Sequence, residues 1–213
     1  MEGLNHVLLI GNSPHCSLSL IKKLATTADF ILATDGGANN ARKAGIRPHA
    51  VIGDLDSVSR TTRHQWPDIS WIFVDNQNNT DLQKALDYLV AHKCKKCTLI
   101  GFYGGRTDFS IGNLLALYSY AKKIDLCVME DGWKIYPLCS EKTFSAPIGT
   151  RVSLLPLTTC YQVTLAGFKY PLKEARLTLG TTRTLSNLTA ANRFSVSLTR
   201  GTLLVYIEHK SQR

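Results

Sequence analysis

The sequence predicts an α/β fold, with a mostly parallel sheet carrying helices on both faces, followed by a smaller all-β sandwich domain. Three observations carry this. Up to Pro137, short apolar runs alternate with helix-like stretches in units of about 20–30 residues. After Pro137 the helical rhythm stops. From there, β-branched or alternating runs follow one another, punctuated by Gly149, Gly167, Gly180 and Gly201. The expected domains are therefore residues 1–137 and 138–213.

Each element has its own signal. His6–Ile10 is a short apolar run and reads as a strand, and Cys16–Thr26 as a helix. Phe30–Thr34 is the next strand, and Ala38–Ala44 a short helix ended by Gly45. Ala50–Ile52 is a strand, Ser59–Gln65 a turn of helix, and Trp71–Val74 a strand. Thr80–His92 is apolar at Leu82, Ala85, Leu86, Leu89 and Val90, close to the helical period. Cys97–Ile100 (strand), Ile111–Ala121 (helix) and Leu126–Met129 (strand) complete the first part. In the second part, strands are expected at Arg151–Leu155, Tyr161–Leu165, Arg176–Leu179, Phe194–Leu198 and Leu203–Ile207.

The 213 residues are 44% apolar, enough to bury a core. No apolar stretch approaches the length of a membrane span, so no membrane association is expected. Met1–His6 lacks the basic-then-apolar form of a signal peptide, and the expected setting is the cytoplasm. There the six cysteines read as reduced thiols. The formal charge is +9, but it is uneven. Through Pro137 there are 15 basic and 13 acidic residues; from Leu138 there are 10 and 3. All eleven aspartates lie in the first part. A nearly neutral, Asp-rich region suits a metal or catalytic site, although aspartate also favours loops and caps. Nucleic acid is not an expected partner, because the chain lacks an aromatic–basic RNA motif and a helix-turn-helix pattern.

In parallel sheets, ligands sit at the carboxyl ends of the strands. Five successive expected strand ends carry small, acidic or amide residues: Gly11-Asn12-Ser13, Asp35–Asn39, Gly53–Ser57, Asp75–Asp81 and Gly101–Asp108. Asp54 and Asp56, two apart in an extended stretch, leave one face together. Such hard oxygen ligands suit Mg²⁺, the alternative being an ordinary turn. Asp81 reads equally as a ligand or as a first-turn residue after a Thr80 cap. Gly104-Gly105-Arg106 combines open backbone amides with an arginine fork suited to phosphate, and Asp108 reads as site or cap. Neither a Walker loop nor a Rossmann fingerprint is present. Cys94-Lys95-Lys96-Cys97 has no second pair for a zinc site, and two plain thiols are the better reading.

Taken in order, Asp35-Gly36-Gly37-Ala38-Asn39, Gly53–Ser57, Asn79–Leu86 and Gly104–Asp108 with Asn113 resemble the motifs of the thiamine pyrophosphokinase family. The late Thr184-Leu185-Ser186-Asn187 resembles that family's C-terminal domain. The resemblance spans almost the whole chain. It implies a nucleotide-binding catalytic domain, then a thiamine-binding and dimerisation sandwich, in a homodimer. It implies Mg²⁺-dependent transfer of a pyrophosphoryl group from ATP to the hydroxyl of thiamine, giving thiamine pyrophosphate and AMP. It places catalytic roles on Asp54, Asp56, Asp81 and Arg106, with the three aspartates as metal ligands. Nucleotide contacts fall on Asp35, Gly36, Gly37, Asn39, Gln77, Gly104, Gly105, Asp108 and Asn113, and thiamine contacts on Ser186 and Asn187. The chain departs from the family pattern at Phe109, Asn78 and Leu188. Those departures motivate an alternative, a non-catalytic relative that binds thiamine or a nucleotide.

Overall fold

The computed structural model describes residues 3–209. Met1 and Glu2, part of the N-terminus read above, lie outside them. The chain divides into two compact units between Glu130 and Asp131. A boundary at Pro137 is thus too late, because Pro137 lies within a strand of the second unit, Trp133–Leu138. Proline ends most strand patterns because it donates no ladder hydrogen bond. Here it pairs across to Leu204.

The first unit alternates strands and helices as expected. Its strands are β1 (His6–Ile10), β2 (Phe30–Thr34), β3 (Ala50–Gly53), β4 (Ser70–Phe73), β5 (Lys96–Ile100) and β6 (Asp125–Glu130). Its helices are α1 (Leu18–Ala25), α2 (Gly37–Lys43), α3 (Arg60–Gln65), α4 (Asp81–Ala91) and α5 (Thr107–Ala116), with a 3₁₀ turn at Leu117–Ser119. The strands run parallel in the order β6-β5-β1-β2-β3-β4. Val7 through Ile10 are all fully buried, so both faces of the sheet are covered and the strand shows no alternation. One face packs Leu8, Ile10, Ala33 and Val51 against Ile21 of α1 and Ala38 and Ala41 of α2. Helix α4 contacts β2 and β3 and buries Leu82, Ala85, Leu86 and Leu89.

The helix starts follow cap chemistry. Ser17, Ser59 and Thr80 each accept a hydrogen bond from an amide of the first turn. Thr80 and Gln83 form a reciprocal capping box. Helix α5 begins at Thr107 rather than the expected Ile111, since its first turn is exposed and carries no apolar period.

The second unit holds β7 (Trp133–Leu138), β8 (Lys142–Ser145), β9 (Arg151–Pro156), β10 (Cys160–Ala166), β11 (Leu172–Leu177), β12 (Asn187–Leu188), β13 (Arg193–Ser197) and β14 (Leu203–Glu208). Two antiparallel sheets, β12-β9-β14-β7 and β11-β10-β13-β8, share one core. Alternate residues face it, as Val152 and Leu154 or Phe194 and Val196 show. Phe194 packs against Phe144 at 5.5 Å and Phe168 at 5.1 Å between ring centroids. Strand β11 sits earlier than the expected Arg176–Leu179, because its pairing with β10 is broken by register shifts around Gln162 and Glu174, both at positive φ.

All six cysteines are free. Cys94 donates to the Lys96 carbonyl, and burial pushes its thiol up to about 11. Cys97 is fully buried, which likewise pushes its thiol up. Among the same residues, no helix is long and apolar enough to cross a membrane.

Candidate active site

From β1 the chain builds outward through β2, β3 and β4 on one side and β5 and β6 on the other. The loops after β1 and β5 therefore diverge and open a crevice at the carboxyl end of the sheet. It encloses about 380 Å³ and is lined by Asn12, Ser13, Thr80, Asp81, Phe102, Gly105, Arg106 and Phe109, among others.

Buried polar side chains fix these loops. Asn40 donates to the carbonyls of Gly11 (2.9 Å) and Ser13 (3.0 Å). Asn113 donates to the Phe102 carbonyl at 3.0 Å. Glu130 accepts from the amides of Gly101 (2.8 Å) and Phe102 (3.3 Å). Asn113 thus acts through the loop, and Asn40 and Glu130 are positioning residues that pattern reading missed. A single amide or carboxylate carries no periodic signal.

Gly36 and Gly37 start α2 where the backbones crowd. A Cβ on Gly37 would lie 2.1 Å from the Ile10 carbonyl oxygen, and one on Gly36 would lie 2.2 Å from the Asn12 side chain. Both therefore serve close packing under the rim. Gly104 and Gly105 are exposed in the loop before α5, beside His15 and Pro14.

The carboxylates meet at the ends of β2 and β3. Asp35, Asp54 and Asp56 each offer an oxygen, and the three oxygens lie within 4.8 Å of one another. The Asp54–Asp56 stretch is not extended as expected. Leu55 takes a left-handed conformation (φ 63°) and packs against the buried core. That conformation costs about 1–2 kcal/mol. The turn is held by the Asn39 amide, which donates to the Ser57 carbonyl (2.9 Å) and accepts from the Ser59 amide (3.0 Å) and the Thr62 hydroxyl (2.8 Å). Asn39 thus commits its side chain to the carboxylate turn.

Asp35 is 1% exposed and accepts from the Ser57 amide through Oδ2. Its Oδ1 is buried with no hydrogen-bond partner among the described residues. An orphaned carboxylate oxygen facing two further carboxylates fits a hard divalent cation. Burial pushes the Asp35 carboxyl up to about 7; the Ser57 amide opposes this, and Asp54 and Asp56 reinforce it. Asp54 is held below the usual carboxylate range, first by the neighbouring Asp35 carboxyl, which takes up the proton in its place, then by Lys84.

Asp81 stands apart from this trio. It lies in the first turn of α4 and lines the crevice, so cap position and site position coincide. Lys84 joins it to the trio, its Nζ lying 3.3 Å from Asp81 Oδ1 and 3.4 Å from Asp54 Oδ2. Burial lowers the Lys84 pKa, but Asp81 and Asp54 outweigh burial and hold it above the usual lysine value.

Arg106 is exposed. It forks onto Asp108 (2.6 and 3.2 Å) and stacks over the Phe109 ring at 4.6 Å. Gln77 is exposed and donates to Asp75 at 3.4 Å.

In the second unit, the Asn187 amide accepts from the Tyr170 amide (3.1 Å) and donates to its carbonyl (2.7 Å). Asn187 is 5% exposed, so it braces the strand, while Ser186 stands exposed beside it at φ 57°.

The family model described as thiamin pyrophosphokinase, catalytic domain, matches residues 21–128. The chain belongs to the thiamine pyrophosphokinase family. A second model, described as the vitamin B1 binding domain of thiamin pyrophosphokinase, matches residues 141–203. A Bacillus subtilis protein named thiamine pyrophosphokinase is 28% identical over 181 residues, covering 82% of this chain and 85% of the relative. A crystal structure of thiamine pyrophosphokinase from the same species superposes with a TM-score of 0.84 at 25% identity, covering 97% of this chain and all of the other. The Geobacillus thermodenitrificans structure shares the fold at a TM-score of 0.83 and 24% identity, covering 97% of this chain and 99% of its own. As a thiamine pyrophosphokinase family member, the chain is an enzyme of the transferase class.

The buried carboxyl of this family member gives a pH prediction. Asp35 binds its proton more tightly folded (about 7) than at its ordinary value of 3.8. Its contribution to stability is therefore full at low pH and is lost as pH rises through about 7. In the presence of a chelator, melting temperature is expected to fall between about pH 4 and pH 7. The fall should be smaller in Asp35→Asn. Thermal melts of both proteins across that range check this; identical pH slopes would contradict it.

Proposed function

We propose that the chain transfers a pyrophosphoryl group from ATP to the hydroxyl of thiamine, forming thiamine pyrophosphate and AMP with Mg²⁺ as cofactor. The single observation carrying this reading is the convergence of Asp35, Asp54 and Asp56 at the carboxyl ends of β2 and β3. Asp54 and Asp56 would hold the metal, with Asp35 completing the trio and Asp81 adjoining it through Lys84. When bound, Mg²⁺ supplies positive charge against the phosphate oxygens of the nucleotide.

The chain's own residues do the rest. Arg106 leaves Asp108 for the nucleotide phosphates, a fork-for-fork exchange of anions. The Gly104-Gly105 backbone lies beside it in the loop. Asp54 and Asp81 are the two carboxylates for the proton of the thiamine hydroxyl. The second unit contributes the thiamine side, as the vitamin B1 binding match supports, with Ser186 the exposed member of its Ser-Asn pair. The expected working form is a cytoplasmic homodimer.

Incubation of the purified protein with ATP, Mg²⁺ and thiamine is expected to give AMP and thiamine pyrophosphate in equal amounts. ADP as the only nucleotide product would refute pyrophosphoryl transfer. Tight binding of thiamine or nucleotide without turnover would favour the non-catalytic relative, the reading that Phe109, Asn78 and Leu188 motivate.

A further inference from the structure

Lys84 is 6% exposed and is the one charged member of the buried residues of α4, the others being Leu82, Ala85, Leu86 and Leu89. A buried ammonium carries a desolvation cost that an apolar side chain does not. Lys84 instead directs its charge at the carboxylates, within 3.4 Å of Asp54 and 3.3 Å of Asp81. Asp54 and Asp81 therefore flank one resident cation, and Asp54 links it to Asp35 and Asp56. A lysine ammonium is a point charge on a flexible stem. It offsets the repulsion among these groups while no other cation is present.

The same charge opposes a second cation. A divalent ion entering next to Asp54 meets the ammonium across one shared carboxylate. A nucleotide phosphate arriving with the ion brings negative charge that both cations can share. From this geometry we infer that Lys84 is a specificity-determining residue, which makes the cluster bind a divalent cation together with nucleotide phosphate in preference to the bare cation. The inference rests on the carboxylate cluster being the metal site of the proposed reaction.

Mn²⁺ affinity, read by electron paramagnetic resonance of the free ion, tests this without thiamine or turnover. Wild-type protein, Lys84→Met and Lys84→Gln are titrated with Mn²⁺ alone and with Mn²⁺ plus an unreactive ATP analogue. Bare Mn²⁺ is expected to bind both variants about tenfold or more tighter than wild type. With the analogue present, that advantage should shrink or reverse. Unchanged or weaker binding of bare Mn²⁺ in folded variants would overturn the inference. Variants that melt without metal but fold with Mn²⁺ would support it, because the ion then replaces the lost ammonium. Variants that stay unfolded with Mn²⁺ would overturn it and leave Lys84 a structural residue. Wild-type protein that takes no Mn²⁺ even with the analogue would sink the metal reading itself, whereas binding that ignores position 84 sinks only the role of the lysine.

Discussion

Replacing Asp54 with asparagine is expected to lower turnover by about 10²-fold or more at saturating Mg²⁺. The substitution keeps the shape of the side chain and removes one negative charge. That charge is the junction of the site: Asp54 meets Asp35 and Asp56 in the trio and reaches Lys84 at 3.4 Å. Its loss weakens the metal clamp and frees Lys84 to pair with Asp81 alone. The fold should survive, because one of several crowded like charges has gone. Asp56→Asn should cost a similar factor. Steady-state rates at several Mg²⁺ concentrations check both variants. A rate within about twofold of wild type would remove that residue from the mechanism.

Gly37→Ala is expected to destabilise the first unit by about 3 kcal/mol. The added Cβ would lie 2.1 Å from the Ile10 carbonyl oxygen and 2.8 Å from the Thr34 hydroxyl. Ile10 ends the fully buried run Val7–Ile10 of β1, which is paired on both sides, so the backbone it would push against has nowhere to move. Gly112 is the internal control. It lies in α5 with nothing within 4 Å of its Cβ position, and Gly112→Ala should be neutral or stabilise by about 0.5–1 kcal/mol. Urea denaturation of the two variants separates the effects. Equal stabilities would contradict the packing account.

Strands β1 and β2 were legible to the residue, because doubly covered parallel strands are short continuous apolar runs. Helix α4 was legible from its period and its Thr80 cap. Strands β7 and β8 were not anticipated. β7 contains Pro137, whose usual meaning is a break, and β8 is four residues with only Phe144 buried. The rim of the site was readable because successive strand ends carried aspartate and glycine. The grouping of carboxylates was not. Asp35 lies on a different loop from Asp54 and Asp56, and only the parallel pairing of β2 with β3 brings them together. Lys84 was hidden for a related reason. On a helix surface a lysine normally faces water, and its burial against Asp54 depends on a contact 30 residues away in sequence. Asn39 and Asn187 matched motif positions, yet their amides hold backbone, which spacing alone does not reveal.

The central claim is that the clustered carboxylates grip a divalent cation against the nucleotide phosphates. A crystal grown with Mn²⁺ and an unreactive ATP analogue measures this through the anomalous signal of the ion. The expected result is a peak bonded to carboxylate oxygens of Asp54 and Asp56 and to phosphate oxygens of the analogue. Phosphates seated elsewhere, with no ion between residues 54 and 56, would contradict it.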